Sequence, residues 1–142
     1  MNAPDYTAVI RDRDDRGFVE LVAMLRRVHP NVLVVGRAAT TDRALALMYP
    51  YLQTPIVSWA PREAPDLPAT FFRTLVIRDV DALDATQRGR LGARIGGTAG
   101  EIHIISTTVA PLFPLVERGA FLDRLYYQLN TVCLDLSDDH DS

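Results

Sequence analysis

A chain of 142 residues that is 48% hydrophobic and 23% charged, with a formal net charge of -3, has the content of one globular domain with an ample core. No apolar run approaches the roughly 20 residues needed to cross a bilayer, the N-terminal stretch MNAPDYTAVIRDRDD lacks an apolar signal core, and a single cysteine, Cys133, cannot form an internal disulfide. The expected setting is therefore a reducing cytoplasm with no membrane attachment. All 15 basic side chains are arginines, which excludes Schiff-base chemistry and the ammonium that a phosphate-binding loop aims at its ligand. They alternate with acids instead of forming the basic stripe of a nucleic-acid binder.

Residues 1–15 mix charges without periodicity and are expected to form a flexible leader. Phe18, Leu21, Val22, Leu25 and Val28 fall at helical spacing until Pro30 stops the run. Residues 31–35, NVLVV, are β-branched and lack polar alternation, as in a strand buried on both faces of a parallel sheet. Gly36 ends that strand; Thr40 or Thr41 is placed to cap the next helix, with Ala44, Leu45, Leu47 and Met48 facing inward and Pro50 ending it. A second strand is expected at 55–59, followed by a proline-rich surface loop. A third is expected at 75–77, running into Arg78 and Asp79, and Asp84 is placed to cap a helix over 85–95 that Gly96 and Gly97 close. A fourth strand at 102–105, helical segments at 111–118 and 120–130 and a fifth strand at 131–136 complete the core, and SDDHDS makes an acidic tail. Strands alternating with helices define an α/β fold, a parallel five-stranded sheet with helices on both faces.

Three blocks of residues carry a family resemblance. Residues 104–130, IISTTVAPLFPLVERGAFLDRLYYQLN, resemble without a gap the stretch IIAATNRDLxxLVxxGxFREDLYYRLN of the sigma-54-dependent transcriptional activators, which are AAA+ ATPases. TLVIRDVDAL, residues 74–83, resembles that family's TLFLDEIxxL, and NVLVVGRAATTDRALA, from Asn31, resembles its NVLIxGExGTGKExxA. The resemblance implies a three-layer sheet of P-loop NTPase (AAA+) type. It divides the chain into a leader over 1–15, a sigma-54 interaction domain core over 16–136 and an acidic tail over 137–142, with no helical lid or DNA-binding helices after Leu136. The family's GAFTGA-type insertion is absent between the first two blocks, and the interval before the third is too short for its second insertion, so direct contact with a sigma factor is not expected.

The sequence departs from the family where the chemistry lies. Gly36 and Thr40 match the loop, but Thr41 stands at the second glycine, Asp42 at the lysine and Arg43 at the acidic position that follows. A threonine resists the backbone conformations open to glycine, and a carboxylate facing a phosphate about 4 Å away costs about 4 kcal/mol at an effective dielectric near 20. Arg78 stands at the aspartate that helps hold magnesium, and Asp79 at the glutamate that orients the attacking water. Val109 replaces the sensor asparagine, and Leu122 and Gln128 replace the two arginines that such rings supply to a neighbour's nucleotide. Phosphoryl transfer depends on metal and cationic stabilisation, so the expectation is a vestigial site at Gly36, Thr40, Asp42, Arg43, Arg78 and Asp79, with no ATPase activity, no catalytic residue and no cofactor.

Structural roles account for other conspicuous residues. Arg78 and Asp79 suit a local salt bridge at a strand end, and Asp42 and Arg43 suit a helix cap. His29, His103 and His140 are far apart with no ligand spacing, so no metal site is expected, and Cys133 reads as a core residue. Tyr126 and Tyr127, with Phe121 and Leu125, pack a final helix to the sheet, and an exposed tyrosine there would suit a partner protein. The functional expectation is a catalytically silent domain acting through protein contacts in transcriptional regulation, its partner an AAA+ paralogue or a second copy. The alternatives are a residual ATP- and magnesium-binding subunit of a mixed ring and a receiver-like signalling domain, the latter disfavoured because a receiver uses a lysine.

Overall fold

The computed structural model describes residues 8–11, 15–97 and 102–137. Their chain order is β1 (Ala8–Arg11), α1 (Asp15–Arg27), β2 (Val32–Val35), α2 (Ala38–Met48), β3 (Ile56–Trp59), β4 (Thr74–Ile77), α3 (Ala85–Gly97), β5 (His103–Thr108), α4 (Phe113–Glu117), α5 (Asp123–Leu129) and β6 (Val132–Asp135). The acidic tail beyond Ser137 and its His140 lie outside the described residues, as does most of the stretch expected to be a leader. No described helix is long and apolar enough to cross a membrane.

All strand pairs are parallel, and the sheet order is β1-β6-β2-β5-β4-β3. The five expected strands form β2 to β6, and β1 adds a sixth at the edge, inside the expected leader. Its Ala8-Val9-Ile10 is a short apolar triplet among charges, too brief for a period to emerge, and its order comes from the ladder it makes with residues 132–135 of β6.

Residue alternation along the strands divides the core into two layers. Val32 and Val34, with Val76, Ile105, Val132 and Leu134, meet Leu21 and Leu25 of α1 and Ala44, Leu45 and Met48 of α2. Leu33 and Val35, with Leu75, Ile77 and Ile104, meet Leu91 of α3 and Leu125 and Leu129 of α5. Every residue of β2 and β4 is buried, as near-continuous apolar strands in a parallel sheet require. Two expected inward positions are corrected: Leu47 is 54% exposed because it lies past the edge of the buried stripe of α2, and Val28 is 66% exposed because α1 has already ended at Arg27.

The loop between β3 and β4 is irregular, as its prolines demand, and is pinned to the domain. Trp59 Nε1 donates to the Ala64 carbonyl at 2.7 Å, and Gln87 Nε2 donates to the Pro65 carbonyl at 2.8 Å. At the amino edge of the sheet Asn31 ties three elements together, its Nδ2 donating to the Gln128 carbonyl and its Oδ1 accepting from the Ile104 amide, both at 2.8 Å.

The histidines correct the expectation that they lie apart. His29 and His103 have ring centroids 5.7 Å apart, because the turn holding His29 leads into β2 and His103 opens β5, its neighbour. His103 is fully buried, and its Nε2 donates to the Pro30 carbonyl. Burial pushes its pKa down from 6.5 to about 4, so the ring is held neutral. Among the described residues no group of three or more His, Cys, Asp or Glu side chains gathers as a metal site would need. Cys133 is half-buried against the α3 and α5 layer.

Candidate functional site at the carboxyl edge of the sheet

The chain leaves β2 for α2 on one face, and it leaves the neighbouring β5 for α4 and α5 on the other. Neighbouring strands whose connections diverge in this way open a crevice at their carboxyl ends, the usual ligand position in an open α/β sheet. The residues bordering this crevice are Gly36 after β2, Arg78 and Asp79 after β4, and Val109 after β5.

The site around Gly36 is tightly packed, and its φ is 158°. A Cβ on it would meet Leu136 Cβ at 3.3 Å and the Leu136 carbonyl carbon and oxygen at 3.5 Å. Its amide donates to the Thr108 carbonyl at 2.9 Å, and the Leu136 amide donates to the Val35 carbonyl at 2.7 Å, so the glycine is held between β5 and the segment after β6.

Helix α2 begins at Ala38, immediately after Arg37, and this corrects the expected caps. Neither Thr40 nor Thr41 is the capping residue: both lie within the helix, and Arg37 occupies the cap position without a capping bond from its side chain to the helix. Thr41 is buried, and its hydroxyl donates to the Ala38 carbonyl at 3.1 Å. The Thr40 and Thr41 amides both donate to the Arg37 carbonyl at 2.9 Å. A phosphate-binding loop presents such amides to its ligand; here two of them are committed to the backbone. The Thr41 hydroxyl bond to Ala38 adds a side-chain tie across that helical turn.

Asp42 and Arg43 are likewise inside α2 and do not cap it. Arg43 is exposed and makes no ion pair among the described residues. Asp42 reaches across to Arg78, accepting a hydrogen bond at Oδ1 from the Arg78 Nη1. That hydrogen bond raises the Arg78 pKa above the ordinary guanidinium range, against the opposing effect of burial. Arg78 and Asp79 do not pair with one another. Asp79 faces Arg62 of the β3–β4 loop, its Oδ2 lying 3.9 Å from the Arg62 Nε. Asp79 also adopts a left-handed backbone, φ 57° and ψ 56°, with its amide donating to Thr107 Oγ1 at 3.1 Å. Such conformations are uncommon outside glycine, although aspartate is among the residues that tolerate them.

The structure thus pairs Asp42 with Arg78 and sets Asp79 beside them, and adds Arg62 and Thr107 as partners of Asp79, which the sequence reading missed; Gly36 and Thr40 share the carboxyl edge without a contact to this group. The signal for the central pair was in the sequence: opposite changes of charge at positions 42 and 78, which the three-block resemblance places at one site. Leu122 and Gln128 do not join the group; they line a separate cleft between α3 and α5. Tyr126 and Tyr127 are also elsewhere, half-buried on α5, with ring centroids 5.0 Å apart and Phe113 5.9 Å from Tyr126. Burial raises the Tyr126 pKa, so its hydroxyl stays neutral.

With β1 set aside and the remaining strands renumbered in chain order, the sheet reads 2-3-4-1-5, flanked by helices: a P-loop NTPase-like fold. Solved structures share it. NtrX from Brucella abortus in complex with ADP matches with a TM-score of 0.65 and 15% identity over 86% of this chain and 35% of that one. Its complex with ATP gives 0.63 and 18% over 84% and 35%, so the chain spans about a third of the length of NtrX. The P-loop NTPase domain of a sigma-54 transport activator from E. coli gives 0.61 and 20% identity over 78% of this chain and 98% of that domain. No protein-family model matches the sequence. No curated protein matches it either.

Proposed function

We propose that this chain is a catalytically silent domain of AAA+ and sigma-54-activator type that works through protein contacts in transcriptional regulation, with an AAA+ paralogue or a second copy as the partner class. The observation that carries this reading is the Asp42–Arg78 pair. The resemblance puts a phosphate-neutralising lysine at the first position and a magnesium-holding aspartate at the second. A carboxylate at position 42 repels a triphosphate and a guanidinium at position 78 cannot ligate a cation, and each is engaged by the other. The helical turn over residues 38–41 supports the same reading, since it withdraws amides from the crevice. The pinned loop over residues 60–73 occupies the interval where the family's sigma-contacting insertion would lie, which argues against direct sigma engagement.

The test is ATP turnover and binding by the purified chain with magnesium. The expected result is no hydrolysis above a mock preparation and no thermal shift. Hydrolysis that disappears on Asp79→Ala would overturn the proposal. A second reading, a residual nucleotide-binding subunit of a mixed ring, draws on the likeness to NtrX in complex with ADP and with ATP. Calorimetry separates the two, because binding without turnover supports the second alone.

A further inference from the structure

A cleft of about 300 Å³ runs between α3 and α5 and shares no residue with the carboxyl-edge site. Two arginines, Arg88 and Arg124, line it, and among the described residues no acidic side chain does. Arg88 is held in place: its Nη1 donates to the Leu83 carbonyl at 2.6 Å, its guanidinium lies 5.7 Å from the centre of the Phe121 ring, and its buried Nε has no partner. Among the described residues neither arginine meets a carboxylate, whereas Arg62, Arg78 and Arg90 each do. No carboxylate among the described residues pairs with the positive charge of this cleft, which lies beside Leu122, 53% exposed.

Its floor is open helix backbone. Gly89, Gly92 and Gly96 line it along α3, a length of about 12 Å from Arg88 at 1.5 Å per residue. Glycine disfavours a helix relative to alanine, yet among the described residues nothing requires these three: an added Cβ meets no atom within 4 Å at any of them, and none has a positive φ. What the missing side chains provide is room for a close approach from outside.

We propose that this cleft docks an acidic helix of a protein partner, its backbone seated over Gly89, Gly92 and Gly96 and its carboxylates on Arg88 and Arg124. The proposal rests on the protein-interaction reading above and names its surface. Charge complementarity selects an acidic partner. Two arginines are too few to track a nucleic-acid backbone, and a free anion has no use for a glycine floor two turns long.

The test is an NMR titration of the full chain with an alanine-rich helical peptide carrying glutamates at i and i+4, in parallel with its lysine counterpart and with inorganic phosphate. The expected result is saturable movement of the backbone amide signals of α3 and α5 with the glutamate peptide alone, and affinity reduced about tenfold in R88Q/R124Q. The variant G89A/G92A/G96A is expected to melt at a higher temperature while losing the response, which separates docking from folding. No response, an equal response to the lysine peptide, the same shifts with phosphate, or a lower melting temperature in the alanine variant would each overturn the proposal. ATP turnover by the unaltered chain would sink the silent reading and leave these shifts untouched, so the two failures are distinguishable.

Discussion

At the scale of single residues, the Asp42–Arg78 pair links α2 to the end of β4 with both side chains partly in water, 52% and 38% exposed. Solvent screening limits such a pair to about 0.5 kcal/mol, so it contributes little to the stability of the fold. A double-mutant cycle with Asp42→Ala and Arg78→Ala, followed by urea unfolding, is expected to give that coupling at low salt and lose most of it at 1 M salt, where the Debye length is about 3 Å. His103 matters more for stability. Its pKa is about 4 in the folded chain against 6.5 in the unfolded one, so between those values the unfolded state takes up a proton that the folded state refuses. Its contribution is complete above pH 6.5 and is lost as pH falls towards 4, a change on the order of 3 kcal/mol. The expected outcome is that unfolding free energy falls less steeply over that window in His103→Gln than in the parent; equal slopes would refute the assignment.

At the scale of elements, the sequence showed five of the six strands and the helices between them but not how the corner between β2 and α2 is built. Local signals were legible where one residue type settles the geometry. Asp84 caps α3 as its position suggests, and a reciprocal pair forms in which the Gln87 amide donates to Asp84 Oδ1 and the Asp84 amide donates to Gln87 Oε1, both at 2.8 Å. Asp84→Ala is expected to cost about 1 kcal/mol by denaturant unfolding, with the midpoint moved and the slope unchanged. Thr40 and Thr41 misled because a threonine in the first turn of a helix looks, in sequence, like a threonine just before it. What decides between the two is tertiary: Gly36 is clamped by Thr108 and Leu136, and the helix starts as soon as the chain clears that clamp. Gly36→Ala is accordingly expected to cost about 2 kcal/mol, the usual range for forcing an extra methyl group into a packed site. Strand β1 was illegible for a related reason, since three apolar residues have no period and gain their order only from β6.

At the scale of the whole molecule, the sheet gathers at one crevice residues that are far apart in the chain, and this is why the site was legible as a set of positions and not as a set of contacts. The resemblance aligned three blocks, and the charges at 42 and 78 were visibly reversed, but that they engage each other follows only from the strand order that sets β4 two places from β2. On the silent reading the losses are divided between two functions. Thr41, Asp42 and Arg78 stand where nucleotide and magnesium would be held, whereas Val109, Leu122 and Gln128 stand where turnover would be completed. Restoring the first group with Thr41→Gly, Asp42→Lys and Arg78→Asp keeps an oppositely charged pair between α2 and β4 and removes the side chain that ties the turn over residues 38–41. The triple variant is expected to fold and to gain a thermal shift with ATP and magnesium that the parent lacks, while showing no hydrolysis, because the groups that stabilise the transferring phosphoryl are still missing. Melting curves with and without ATP, alongside a phosphate-release assay, read both outcomes, and a triple variant that folds but shows no nucleotide-dependent shift would mean that these three positions are not what keeps ATP out.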